Sequence, residues 1–209
     1  MTIAETQTTM FEFTGNNLCL DFCNTVNDRK DKPRELLMSY DHLLIWGQEA
    51  CILTEDEARL LGEEAQEDKW EAEAVFKQAI ELRETLFRLF LSRIHDAPAA
   101  EADLVTFNTA LSHALAHTCI VPGEHGFAWG WLPEKRALDR LLWPVVRAAA
   151  DLLTSEELEN VRVCASDTCG WLFIDQSKNH TRRWCDMKSC GNLAKARKHY
   201  SLKKQSSLK

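Results

Sequence analysis

The sequence predicts a mainly α-helical protein. A helical N-terminal domain containing one small β-hairpin is followed by a small, separate C-terminal module. Three observations carry this reading. Proline and glycine are scarce, five and eight among 209 residues, which favours long helices over a strand-and-turn protein. Apolar residues recur at helical spacing along most of the N-terminal three quarters. The charge is also divided. Residues 161–209 hold eleven Lys and Arg against Asp167, Asp175 and Asp186, a net +8, which leaves −15 on the rest of a chain whose total is −7. A chain so polarised reads as two units with different partners, 1–158 and 159–209. A phosphate backbone would attract the second and repel the first.

The elements follow in order. Leu18, Phe22 and Val26 in the run LCLDFCNTVND place a short helix over 18–28. Leu43, Leu44 and Trp46 mark a second helix over 39–50. Thr54 and Glu57 spell a capping box that opens a third. The strongest signal runs from Trp70 to His95, with Phe76, Ile80, Phe87, Phe90 and Ile94 on one face and charge elsewhere. Pro98 separates it from a helix over 102–116. Between Cys119 and Trp131 a proline, three glycines and two tryptophans replace the helical pattern, which predicts a β-hairpin or ordered loop. Trp129 and Trp131 are expected to cover the core in preference to flooring a pocket, given the area an aromatic buries. Helix returns from Lys135 to Leu153, kinked or divided at Pro144. The run Thr154 to Glu157 offers another capping box and a last short turn. Val161–Val163 then reads as a strand leading into Cys164.

Several function classes are disfavoured. No apolar run reaches the roughly 20 residues of a membrane span; the most apolar, Leu141 to Leu153, is broken by Arg147 and Asp151. The first ten residues lack a basic n-region and an apolar h-region. A cytoplasmic location with no membrane partner is the expectation. No glycine-rich phosphate loop, H-E-x-x-H or G-x-S-x-G motif occurs, so no catalytic residue is assigned and no enzyme is expected. Eight cysteines in a reducing compartment do not form a disulfide framework.

Four of those cysteines have a metal-ligand pattern. Four residues separate Cys164 from Cys169, four separate Cys185 from Cys190, and fifteen lie between the pairs. Two short loops donating two thiolates each make a closed tetrahedral site for one structural Zn2+, with no position left open for water or substrate. Residues 170–174 read as a strand, 175–179 as a polar turn, 181–184 as a returning strand and 192–200 as a helix. This is a zinc-ribbon or treble-clef-like module. Gly191 relieves crowding beside the metal. A segment with so few large aliphatics needs a staple, so it should lose its fold with the metal while the helical part stays folded.

The charge of this module lies on its folded elements. Arg182, Arg183, Trp184, Lys188, Asn192, Lys195, Arg197 and Lys198 form the footprint expected for phosphate contacts, with an aromatic interleaved for base stacking. DNA is the expected partner in preference to RNA. An RNA partner, or an acidic protein docking on the basic face, remains open, as does an enzyme built on residues 21–29. In that first motif Asp21, Asn24, Thr25 and Arg29 either line a small-ligand pocket or are satisfied structurally. Cys19 with Cys23, and His113 with His117 near Cys119, have i, i+4 spacing but lack further ligands in sequence. Burial is the favoured reading for the cysteines.

The run WLFIDQSKNHTRRWCDMKSCGNLAKARKHY resembles the CGNR zinc-finger family, and LCLDFCNTVNDR resembles the ABATE domain that precedes the finger in those proteins. The resemblance spans nearly the whole chain. It implies a bacterial transcription regulator whose finger binds DNA; we expect the N-terminal domain to sense a small-molecule effector or mediate association, for instance as a homodimer. It implies Cys164, Cys169, Cys185 and Cys190 as zinc ligands. One departure stands out: Cys190-Gly191-Asn192-Leu193 carries leucine where the family has arginine, so any contact made by that arginine is lost. Lys195 and Arg197 lie nearby.

Overall fold

The longest helix, α4 (Lys69–Ile94), is the spine against which most other elements pack. It belongs to a computed structural model describing residues 9–124, 126–132 and 137–197. The helix starts on Asp68, whose carboxylate accepts from the Glu71 N–H. Its buried line is Val75, Ala79, Leu82, Leu86, Leu89 and Phe90. The predicted stripe of Phe76, Ile80, Phe87 and Ile94 is only partly buried. The buried arc is turned back by one residue, which sets small and aliphatic side chains where neighbouring helices cross and leaves bulky rings at the flanks.

Helix α1 (Leu18–Cys23) is buried almost all round and packs on α4 and α6. Asn17 caps it, accepting from the Cys19 N–H at 3.1 Å. The helix predicted to reach residue 28 stops at Cys23, because Val26–Asn27 (β1) turns away to pair antiparallel with Arg34–Glu35 (β2). Helices α2 (Tyr40–Glu49) and α3 (Glu55–Glu67) follow, and both halves of the Thr54/Glu57 capping box are present. Phe22 of α1 meets Trp46 of α2 with ring centres 5.0 Å apart.

Helix α5 (Glu101–Ala116) leads into the hairpin of β3 (Thr118–Gly123) and β4 (Gly126–Trp131), with Ile120 opposite Trp129. Trp131 packs on the core beside Trp143. Trp129 does not: it is 62% exposed and lies beneath the Arg147 guanidinium, 4.4 Å from its ring centre. Strand alternation puts both tryptophans on one face, but only the hairpin base lies over the core. A 3-10 turn (Leu138–Leu141) precedes α6 (Leu142–Leu153). Pro144 sits in the first turn of α6, where no intrahelical N–H is required, so it divides the segment without kinking a helix. The Thr154–Glu157 capping box is absent. The Thr154 and Ser155 hydroxyls instead donate back to Ala150 and Leu152 carbonyls, and a 3-10 turn (Glu156–Asn160) follows.

Residue 158 lies in that turn. Beyond it β5 (Val161–Val163) pairs antiparallel with β6 (Leu172–Ile174). Val161, Leu172 and Ile174 join the main core, whereas Trp171 and Phe173 turn to a second, small core of cysteine side chains. The returning strand expected over 181–184 is not one. The partner of β6 is the preceding strand, and Arg183 is held by a single ladder-like bond from the Ala165 N–H to its carbonyl, 2.8 Å.

Asp21 provides a pH test of the α1 packing. Burial lifts its carboxyl to about 6, against the opposing pull of the Gly15 and Thr14 N–H groups. An acid whose folded pKa lies above its unfolded value near 3.9 favours folding when protonated. That stability is fully present below about pH 4 and is lost as pH rises through 6. Asp21→Asn, which keeps an acceptor for the Gly15 N–H, should remove this dependence and stabilise the protein at pH 7 by roughly 1–3 kcal/mol. Denaturant midpoints of both proteins at pH 4.5 and 7 check it.

A candidate metal centre and its basic cleft

The four cysteines converge from two loops. Cys164 follows β5 and Cys169 precedes β6; Cys185 precedes a π-helical turn, Met187–Gly191, and Cys190 lies within it. Their sulfurs all lie within 4.8 Å of one another, with Cys169 to Cys185 at 3.7 Å and Cys185 to Cys190 at 3.8 Å. A tetrahedron with Zn–S bonds of about 2.3 Å has edges of about 3.8 Å. The cluster therefore fits one structural Zn2+. Three of the cysteines are buried and Cys190 is half-buried. Contacts from the Cys169 and Cys185 thiols hold Cys164 far below the usual thiol range, and contact with Cys164 raises Cys169 and Cys185. This is the only group of three or more metal-type ligands that close together among the described residues. Cys19 and Cys23 are separate from it and fully buried. Burial pushes Cys23 up to about 12, and the two thiols donate to Asn17 Oδ1 and the Arg83 carbonyl.

Local sequence shapes both loops. Asp186 caps the π turn by accepting from the Ser189 N–H at 2.7 Å. A Cβ at Gly191 would meet Met187 Sδ at 2.8 Å, so the expected crowding at this glycine is real but comes from a methionine. Gly170 has φ +84°, a left-handed conformation suited to glycine; a Cβ there would meet Arg29 Cβ at 3.1 Å. Asp175 organises the loop after β6, accepting from Ser177 and from the Arg182 N–H.

In the motif at residues 21–29 the side chains of Asp21, Asn24 and Thr25 are hydrogen-bonded within the fold, whereas the buried Arg29 Nε has no hydrogen-bond partner. Asn24, buried, accepts from the Leu172 N–H and donates to the Leu172 carbonyl, both at 2.8 Å. The Trp171 indole N–H donates to the Val26 carbonyl at 2.8 Å. Backbone N–H groups of Arg29 and Lys30 donate to the Cys169 and Thr168 carbonyls. The Lys30 ammonium donates to the carbonyls of Cys164 and Ser166. Thr25 bonds the Phe22 carbonyl and Arg83; Arg29 grips Glu84 with two bonds and the Cys23 carbonyl with a third. Asp21 accepts from Gly15. Asn24, the Val26 carbonyl, the Arg29 and Lys30 N–H groups and the Lys30 ammonium clamp the four-cysteine module to the helical domain; the Asp21, Thr25 and Arg29 side chains bond within that domain. Sequence reasoning missed Lys30 and Trp171 in this clamp because their partners lie more than 130 residues away in the chain.

The predicted nucleic-acid residues divide. Arg182 is used internally: its guanidinium donates to the carbonyls of Trp184, Cys185 and Thr14 and stacks on Phe173. Arg183 is exposed, its guanidinium 5.2 Å from the Trp184 ring centre. Lys188 and Asn192 are exposed around the π turn, Asn192 donating to the Lys188 carbonyl. Residues 192–197 are helical, and from them Lys195 and Arg197 face Arg183 and Trp184 across a cleft of about 590 Å3, shared with Ser166 and Asp167. Asp167, not anticipated in the sequence, pairs with Arg197 at 3.3 Å. Lys198 lies outside the described residues. Leu193 is 47% exposed and, with Trp171, lines a smaller cavity of about 360 Å3 shared with Cys169, Cys185 and Cys190.

A helical domain clamped to a small module gathered round four thiolates defines a two-part protein with a structural zinc finger. Residues 16–156 match the ABATE family, described as "Putative stress-induced transcription regulator", and residues 160–203 match the CGNR zinc finger. The chain belongs to the ABATE family and carries a C-terminal CGNR zinc finger. No curated protein gives a significant match. Among the described residues no helix is long and apolar enough to cross a membrane.

Proposed function

We propose that the protein regulates transcription by binding DNA through the basic cleft of its finger, with the metal holding that cleft in shape. The observation that carries this reading is the convergence of Arg183, Lys195 and Arg197 with Trp184 on one open cleft, in a segment of net charge +8 attached to an acidic domain. Lys188 and Asn192, exposed around the neighbouring π turn, are proposed to add further contacts. The acidic domain keeps nonproductive surfaces away from the polymer by repulsion. For the helical domain we propose effector sensing or self-association through surfaces other than Asp21, Asn24 and Thr25, whose side chains are buried and already hydrogen-bonded.

Counterion release makes the test quantitative. About four to six phosphate contacts give a log–log salt slope near −4 to −5 on duplex DNA. Arg183→Ala with Lys195→Ala should flatten that slope by about two. Arg182→Ala should instead lower the stability of the finger, since it removes bonds to three carbonyls. An unchanged slope in the Arg183/Lys195 variant would overturn the assignment of the cleft.

A further inference from the structure

We infer that the cleft receives an unpaired nucleotide, in a single strand or turned out of a duplex, with its base against Trp184 and its phosphate between Arg183 and Lys195. This rests on the nucleic-acid reading above and narrows it. Three observations support it.

The first is shape. Elements that read an intact duplex are convex, a helix or ribbon inserted into a groove. Here Lys195 and Arg197, on the helical stretch 192–197, line a concavity of about 590 Å3. That volume is within the range of sites that enclose a small molecule, about 300–1,000 Å3. A paired base cannot enter such a recess without leaving its stack.

The second is the aromatic wall. Trp184 packs against the cysteine core, so the indole is anchored, yet it stays partly open to the cleft. Rigid aromatic faces beside arginine are the platform on which unpaired bases stack, whatever their identity. The third is the charge arrangement. Arg183 lies over the indole, while Asp167 on the opposing loop pairs with Arg197 at 3.3 Å and is itself 85% exposed. A carboxylate lining a site for a phosphate backbone alone would be a liability. Beside a base edge it is an acceptor for ring and exocyclic N–H groups.

The test compares one short labelled oligonucleotide of mixed sequence as single-stranded DNA, as single-stranded RNA and as duplex DNA. Each is titrated with the zinc-loaded full chain at the same salt by fluorescence anisotropy. Either or both single strands should bind roughly tenfold tighter than the duplex. Trp184→Leu should weaken single-strand binding by roughly five- to a hundredfold and duplex binding far less. Trp184→Phe, which keeps a stacking face, should retain most of the affinity. Zinc content and melting temperature measured on both variants separate loss of the platform from loss of the fold. If the duplex binds as tightly as the single strands and Trp184→Phe and Trp184→Leu bind alike, this inference is overturned while the nucleic-acid reading stands. If no strand binds in a salt-dependent way, the nucleic-acid reading itself fails.

Discussion

Removing the metal with a chelator should unfold the finger and also lower the melting temperature of the helical domain. Elemental analysis of the untreated protein should find one zinc per chain, and Cys169→Ser should reproduce the effect of chelation. Metal binding supplies the folding free energy of small modules of this type, on the order of 10 kcal/mol or more. The second core consists of Cys164, Cys169, Trp171, Phe173 and Cys185 and has nothing else of comparable strength to hold it. The effect spreads because the Cys164, Ser166, Thr168 and Cys169 carbonyls are the acceptors for Arg29 and Lys30. Val161, Leu172 and Ile174 are also part of the main core. The sequence alone led us to expect a helical domain indifferent to the metal, and the clamp revises that expectation. Far-UV circular dichroism melts with and without chelator read the result. An unchanged melting curve in verified metal-free protein would contradict it.

Asn24→Ala should be the most damaging single substitution outside the cysteines. The side chain satisfies both backbone groups of Leu172 in a site with 2% exposure of Asn24 and none of Leu172. Leaving a buried donor and a buried acceptor unpaired costs about 1–3 kcal/mol each, so a loss of roughly 3–5 kcal/mol is expected. Zinc retention should fall with it, because Leu172 lies three residues after Cys169 on the strand that positions it. Asn24→Asp keeps the acceptor for the Leu172 N–H but sets a carboxylate against the Leu172 carbonyl, and should rescue little. Denaturant midpoints and zinc retained after dialysis measure both effects. A loss under about 1 kcal/mol for Asn24→Ala would mean that water replaces the amide.

Local rules made much of this architecture legible. The Thr54/Glu57 box, the 118–131 hairpin and the cysteine spacing are short-range patterns, and each is present in the structure. Long-range packing decided the rest. Helix α4 buries a line one residue away from its most aromatic stripe because the neighbouring helices select the arc. The chain after Cys23 leaves the helix since Asn24 and Val26 are engaged by Leu172 and Trp171, near the other end of the sequence. Charge counting could not distinguish Arg182, turned inward on Phe173 and three carbonyls, from its exposed neighbour Arg183. It also passed over Asp167, whose importance comes only from facing Arg197. Polar residues in the 21–29 motif had two readings in the sequence; in the structure Asn24 and the Arg29 backbone hold the finger, while Asp21, Thr25 and the Arg29 side chain bond within the helical domain.

In the proposed function the metal shapes a basic cleft for nucleic acid. The most direct measurement is a DNA titration of zinc-loaded and metal-stripped protein at about 50 and about 200 mM salt. The loaded protein should bind at the lower salt and lose affinity by roughly a hundredfold or more at the higher one, as expected for several phosphate contacts. Stripped protein should lose most of that binding, and re-addition of zinc should restore it. Affinity indifferent to both salt and metal would contradict the claim.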